Sequence, residues 1–262
     1  MNIVVATSRG KGLHPLESLR NTIVYYRGGA EIVTLADKAV DILADIHTTS
    51  MAGPNFVYFV AGLPDVTTRT KRSFRLADRV HKYEEVTFRE KPHIACTRVM
   101  REYRKAEKTI IDNGAIPVFC TITPSSLYTW NHTRLSQGKT SHLEAYKEYD
   151  VMQKALIETI SRINREICSI NIRNNVATPK LDRAVIVRRP RGNANTHIRY
   201  DKLPDGVHLN KKLVKSWLGT LERVLKRNQD KYEEPTSAQA QSCQVFSEDS
   251  DSETDTKRDW MY

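Results

Sequence analysis

The sequence predicts an α/β domain in which one central parallel sheet lies between two layers of helices. Segments of strand character alternate with segments whose apolar residues recur at helical spacing, as in parallel α/β proteins. Residues 56–61 (FVYFVA) are apolar on both faces, which is typical of a strand buried in a parallel sheet. With 262 residues, 39% of them apolar, the chain is long enough to bury a large core.

In the first half of the chain, short β-branched and apolar runs alternate with helical patterns. The opening run IVVA predicts a strand, and the apolar spacing after Leu16 predicts a helix that Gly28 and Gly29 end. The run EIVTL predicts a second strand before another helical pattern. In order, the predicted elements are strand 3–6, helix 16–26, strand 31–35, helix 36–46 and strand 56–61.

The second half of the chain continues the alternation. Gly114 closes a helix, and the strand after it ends at Thr123 and Pro124. A long amphipathic pattern and a terminal one containing Trp217 predict two more helices. In order, the predicted elements are helix 97–113, strand 116–122, helix 143–170, strand 181–187 and helix 211–227.

Charge divides the chain into a basic body and an acidic tail. Residues 229–262 carry nine acidic and three basic residues, whereas residues 1–228 carry 38 basic and 22 acidic residues. The tail has no apolar periodicity, so we predict one folded domain at 1–228 and a disordered tail at 229–262. A body with a formal charge of +16 should attract polyanions at low salt.

The four cysteines indicate a reducing, intracellular location, because they form no closely spaced pair typical of a disulfide framework or a zinc ribbon. They are Cys96, Cys120, Cys168 and Cys243. No signal peptide or apolar run of membrane-spanning length is visible. The histidines lack metal-ligand spacing and no phosphate-binding loop is present, so we expect neither a metal nor a cofactor.

Ligands of open parallel sheets bind beyond the carboxyl ends of the strands, and several polar segments should meet there. Thr7–Gly12 follows the first predicted strand, Gly28 and Gly29 precede the second, and Gly62–Asp65 follows the third. Thr123–Ser126 follows the fourth predicted strand, and a further segment, 203–210, directly precedes the last helix.

Asp205 and His208 in this last segment are three residues apart, so one turn can bring the carboxylate to the imidazole Nδ1. Such a pair supports general-base catalysis, and Ser8 is the matching nucleophile, because a free hydroxyl needs a base. The alternative is structural: Asp205 caps the last helix and His208 is a surface residue.

The order of these segments resembles the SGNH (GDSL) hydrolase superfamily over residues 1–227. The matching blocks are VVATSRGKGL at 4–13, RGGA at 27–30, VYFVAGLPD at 57–65 and DGVHLN at 205–210. The resemblance implies a three-layer α/β/α sandwich, similar to flavodoxin. It implies Ser8 as nucleophile, His208 as base and Asp205 as the residue that orients it, with backbone oxyanion donors at Ser8 and Gly29.

Two departures from the family pattern concern the expected chemistry. The family's Gly-Asp-Ser is Ala6-Thr7-Ser8 here, and its oxyanion-binding asparagine is replaced by Pro64. Proline has neither a side-chain amide nor a backbone N–H, and the loss of one oxyanion donor typically costs ~10²–10³ in rate. Asn55 and Asn131 are the candidate substitutes.

Clusters of basic residues are a second feature of the sequence. Arg188, Arg189 and Arg191 are expected beside the site, where they favour an anionic substrate or weak binding of nucleic acid or another polyanion. Other cationic clusters lie at 71–75 and 98–105, and Tyr128, Trp130 and Tyr200 are candidates for stacking on bases or sugars.

The leading interpretation is a serine esterase acting on an acyl or acetyl ester through Ser8, His208 and Asp205. The alternative is a catalytically impaired SGNH-like fold that binds nucleic acid or a protein, as in mobile elements and viruses.

Overall fold

The computed structural model describes residues 1–19, 21–47, 53–76, 79–88, 91–136, 149–187 and 197–233. In chain order, its strands and helices are β1 Asn2–Ala6, β2 Thr22–Tyr26, α1 Ile32–His47, β3 Asn55–Val60, α2 Leu63–Val66, β4 Thr67–Leu76, β5 Arg79–Phe88, α3 Pro92–Asp112, β6 Ala115–Phe119, α4 Leu127–Ser136, α5 Tyr149–Arg173, β7 Ile186–Val187, β8 His197–Ile198 and α6 Lys211–Glu233.

A parallel sheet in the order β2–β1–β3–β6 forms the centre of the fold. Successive side chains of a strand point to opposite faces, and β1 shows this directly. Ile3 and Val5 pack with α1, α3 and α5 on one face, whereas Val4 and Ala6 pack with α6 and Trp217 on the other. The predicted three-layer α/β/α sandwich with a central parallel sheet is therefore confirmed.

Two of the elements predicted in the first half are wrong. Residues 16–26 do not form a helix: a 3-10 turn is followed by Asn21 at φ 61° and then by β2. Residues 31–35 do not form a strand, because α1 begins at Ile32. The buried carboxylate of Asp65 accepts a hydrogen bond from the Ile32 N–H at 3.1 Å, and so caps α1 from a distant part of the chain. Gly28 and Gly29 consequently follow the second strand instead of preceding it.

The predicted fifth strand, 181–187, does not join the central sheet. Residues Leu181–Ala184 form a 3-10 helix, and β7 pairs with β8 in a separate antiparallel sheet. Two buried asparagines of α5 explain the difference. Asn171 exchanges two hydrogen bonds with the backbone of Phe119, and Asn164 does the same with Ile122. Asn171 thus occupies the last residue of β6, and Asn164 the segment just beyond it, where a fifth strand would otherwise pair.

A feature absent from the sequence prediction is the antiparallel hairpin of β4 and β5, which is inserted between α2 and α3. At the other end of the chain, α6 continues to Glu233, six residues beyond its predicted end. The remainder of the predicted acidic tail lies outside the described residues. Within the described ranges, no helix has the length and apolarity that a bilayer crossing requires.

Candidate active site

Ser8 lies just beyond the carboxyl end of β1. The Thr7 N–H donates to the Val60 carbonyl at 3.1 Å, so the chain stays paired with β3 up to the residue before Ser8. Ser8 then begins a 3-10 helix, Ser8–Gly12, that turns the chain away from the sheet. This turn packs tightly, because a Cβ at Gly10 would lie 2.2 Å from the Cβ of Ala6. The glycine therefore permits the turn that places Ser8 at the carboxyl end of the sheet.

Asp205 and His208 form the pair that the sequence predicts. Nδ1 of His208 lies 2.5 Å from Oδ2 of Asp205, and the backbone N–H groups of Val207 and His208 donate to Oδ1 at 3.0 and 2.6 Å. The structural alternative fails in one respect: the side chain that caps α6 is Asn210, which accepts from the Leu213 N–H at 2.9 Å. The Asp205 carboxylate is thus directed at His208 and its backbone.

Asp205 remains ionised over the neutral range. Partial burial opposes its charge, but the hydrogen bonds from the His208 ring and from two backbone N–H groups outweigh this effect and lower its pKa to about 2. An ionised carboxylate on Nδ1 holds the imidazole in the tautomer whose Nε2 can accept a proton. Nε2 is the atom that general-base chemistry requires.

Gly206 fixes the loop that carries this pair. Its φ of 82° lies in the left-handed region, and a Cβ there would lie 2.4 Å from the Ser126 carbonyl oxygen and 2.6 Å from the Trp130 nitrogen. The Gly206 carbonyl accepts from the Ser126 N–H at 2.8 Å. The loop is therefore seated against the start of α4, where the ring of Trp130 lies 5.7 Å from that of His208.

Arg9 joins the Ser8 turn to the His208 loop, and the sequence prediction missed it. The side chain is buried, and it donates from Nε to the Val207 carbonyl at 3.0 Å and from Nη1 to the Thr123 carbonyl at 2.7 Å. Burial lowers the pKa of Arg9 to about 10, although the negative charge of Asp205 acts in the opposite direction. Arg9 also lines the pocket of Ser8, but two of its donors are held by these carbonyl groups, so we assign it a positioning role.

Ser8 and His208 line one pocket of about 520 Å³, together with Gly28, Gly29 and Pro64. Gly29 has φ 70° and lies in the turn after β2, not before the second strand as predicted. It therefore lies at the carboxyl end of the sheet. No hydrogen bond links the Ser8 hydroxyl with the His208 ring in the part of the chain that is described. The pocket thus brings together Ser8, His208 and Gly29, the predicted nucleophile, base and oxyanion donor. The Asp205 carboxylate contacts His208 on the side of Nδ1.

Pro64 lies in the pocket wall at the place where the family pattern has its asparagine. Neither proposed substitute lines this pocket. Asn55 begins β3 and so lies at the opposite end of that strand, while Asn131 is fully buried in α4. The hydroxyl-bearing residues that do line the wall include Thr68 and Ser125.

The basic and aromatic residues that were predicted to bind polyanions differ in their surroundings. Arg188, Arg189 and Arg191 lie outside the described residues. On α3, Arg98 donates to the Asp65 carbonyl, and Arg101 and Lys105 both pair with Glu102. Of the aromatic candidates, Trp130 is buried, Tyr200 bonds Gln153, and Tyr128 is exposed beside His132.

No protein-family model and no curated protein matches the sequence. Solved structures do match. A candidate acylhydrolase from Bacteroides fragilis is 12% identical with a TM-score of 0.52, over 88% of this chain and 86% of that one. A GDSL-like lipase from Bacteroides thetaiotaomicron is also 12% identical with a TM-score of 0.52, over 88% and 87% of the two chains. The resemblance to SGNH (GDSL) hydrolases is thus confirmed at the level of the fold.

Proposed function

The chain has the SGNH hydrolase fold, and we propose that it is a serine hydrolase of small acyl esters, with Ser8 as nucleophile, His208 as general base and Asp205 as the orienting carboxylate. The observation that carries this proposal is the 2.5 Å contact between His208 Nδ1 and Asp205 Oδ2, behind a pocket that Ser8 also lines. In this proposal the contact holds the imidazole in the orientation that general-base chemistry requires.

In the proposed reaction, Nε2 of His208 accepts the Ser8 Oγ proton while Oγ bonds to the ester carbonyl carbon. The carbonyl electron pair moves to oxygen and then returns, breaking the C–O bond to the alcohol, which leaves with the proton from His208. A water molecule attacks the acyl-serine in the same way. The free acid is released as the proton returns to Ser8.

Oxyanion stabilisation in this proposal begins with the backbone N–H groups of Ser8 and Gly29, as the family resemblance implies. Pro64 cannot donate, so a third hydrogen bond would have to come from another residue. We propose the Thr68 hydroxyl. Thr68 is the second residue of β4 and lines the same pocket, and its hydroxyl has no hydrogen-bond partner among the described residues.

The pocket favours a small and largely uncharged acyl ester. Its volume of about 520 Å³ is moderate, and its described wall includes hydroxyl groups and one carboxylate, Glu31. Arg9 is a cation in this wall, but its guanidinium is held by the Thr123 and Val207 carbonyls. Any preference for an anionic substrate would depend on Arg188, Arg189 and Arg191, which lie outside the described residues.

Hydrolysis of short p-nitrophenyl esters by the purified chain tests the proposal. Ser8→Ala and His208→Ala should each lower kcat/KM by at least ~10³, because the nucleophile or its base is lost. Ser18→Ala is the matched control, since Ser18 is an exposed serine on a neighbouring 3-10 turn. Equal turnover by all four proteins, with unchanged circular dichroism, would contradict the proposal.

A further inference from the structure

Two strongly basic cavities are lined by neighbouring residues of α5, away from the pocket of Ser8 and His208. One cavity of about 1180 Å³ lies between α5 and the segment that replaces the predicted fifth strand. A second, of about 670 Å³, lies between the ends of α5 and α6. Ser169 of the first cavity and Ile172 of the second are one helical turn apart on α5. We call the two together the β6-edge groove, and its cations are Arg165, Lys180, Arg183, Arg223, Lys226, Arg227 and Lys231.

The charge of the β6-edge groove is one-sided. Its lining has seven cationic residues and two acidic ones, Asp182 and Asp230, a net of +5. Asp182 accepts a hydrogen bond from the Thr121 hydroxyl at 2.7 Å. No ion pair joins any of the seven cations to an acidic residue within the described ranges. On α3, by contrast, Glu102 pairs with two neighbouring cations.

The cations on α6 form one row. Arg223, Arg227 and Lys231 recur every four residues, so a positive charge appears about every 5–6 Å along the helix. All three are exposed. Such a row matches a ligand that repeats its negative charge along a chain, better than it matches a single small anion.

We propose that the β6-edge groove binds the sugar–phosphate backbone of a nucleic acid, without reading its sequence. We favour nucleic acid over an anionic membrane surface, because inserted apolar side chains strengthen membrane binding and Ile172 is the one exposed large apolar residue in the described lining. Aromatic residues for base stacking are absent from the described lining of both cavities, so the contacts should be with phosphate. The groove shares no lining residue with the pocket of Ser8 and His208, so this inference does not depend on the proposed hydrolase activity.

Fluorescence anisotropy with labelled oligonucleotides of about 20 nucleotides tests this proposal on the full chain. The groove variant is Arg223→Glu with Arg227→Glu. The matched control is Lys211→Glu with Lys215→Glu, which makes the same charge change at exposed positions of the same helix, outside the groove. A neutral pair, Arg223→Gln with Arg227→Gln, guards against a folding defect, and thermal unfolding is recorded for every protein.

We expect the wild type to bind dT and rU oligomers with similar affinity, and to lose affinity between about 50 and 200 mM salt. The groove variant should bind roughly tenfold more weakly with a smaller salt slope, the neutral pair should be intermediate, and the control should stay within about twofold. Equal loss in both charge-reversed proteins would mean a net-charge effect and would overturn the assignment. Absence of binding by the wild type, or tighter binding of polyglutamate or anionic vesicles, would also overturn it.

Discussion

Arg9 donates a hydrogen bond from Nε to the carbonyl of Val207, at 3.0 Å across 198 positions of sequence. Because Arg9 follows Ser8 and Val207 precedes His208, this one contact joins the turn of the proposed nucleophile to the loop of the proposed base. A second hydrogen bond, from Nη1 of Arg9 to the Thr123 carbonyl, joins the segment after β6 to the same side chain. The relative position of the proposed catalytic groups therefore depends on a buried guanidinium.

Replacement of Arg9 by methionine should damage both stability and turnover. The change removes the donors of one buried and one part-buried carbonyl group, and we expect a loss of roughly 2–4 kcal/mol in the free energy of unfolding. The looser His208 loop should also lower kcat. Urea unfolding and ester hydrolysis measure the two effects. Arg9→Lys keeps the charge but not the two-armed geometry, so recovery of full activity in this variant would contradict the positioning role.

Asp205→Asn should lower kcat by roughly 10²–10⁴, because an amide no longer supports the charge and tautomer of the His208 ring. KM should change little, since Asp205 does not line the pocket. Steady-state kinetics on a short acyl ester measures both constants. Asp201→Asn is a suitable control, as this exposed carboxylate pairs with Arg199 instead. Full activity in the Asp205 variant would remove the carboxylate from the mechanism.

The Asp205 carboxylate should also make stability depend on acid pH. Its pKa in the folded chain, about 2, lies below the ordinary value of 3.8, so its contribution is complete above the ordinary value and is lost as the pH falls towards about 2. The wild type should exceed Asp205→Asn in unfolding free energy by about 2 kcal/mol near pH 6 and by about 1 kcal/mol near pH 3. Urea unfolding at both pH values measures the difference. A constant difference would contradict the assigned hydrogen bonds.

Gly206→Ala should abolish most activity and lower stability, because its Cβ would meet the backbone of Ser126 and Trp130 at a positive φ. Gly219→Ala is the matched control. Gly219 lies within α6 with open space around its Cβ position, so alanine there should stabilise the helix by up to about 1 kcal/mol. Thermal unfolding and ester hydrolysis of the two variants separate them. Similar behaviour of both would mean that the loop can move without consequence.

Thr68→Val should lower kcat by roughly 10–10³ while KM stays near the wild-type value, if its hydroxyl donates to the developing oxyanion. Thr68→Ser keeps the donor and should retain most of the activity. Initial-rate kinetics on one ester distinguishes the two. An unchanged kcat in Thr68→Val would assign the replacement for the missing asparagine to another group or to none.

The sequence predicted the sheet centre and the candidate site better than the periphery of the fold. β1 and β3 are marked by short apolar runs, and the Asp205–His208 contact follows from a spacing of three residues. A sequence shows such local patterns directly. The errors have non-local causes. α1 begins at Ile32, which Asp65 caps from 33 positions away. The fifth strand does not join the sheet because Asn171 bonds Phe119 at the end of β6 and Asn164 bonds Ile122 just beyond it. The role of Arg9 was not predicted for the same reason, since its hydrogen-bond partners lie 114 and 198 residues away in the sequence.

The most direct test of the central claim is covalent labelling by a fluorophosphonate, which reacts with serines that an adjacent base activates. Mass spectrometry of the labelled and digested chain should place the modification on Ser8, and Ser8→Ala and His208→Ala should both prevent it. Labelling of the folded wild type at another residue, or no labelling at all, would contradict the assignment of Ser8 and His208 as an active nucleophile and base.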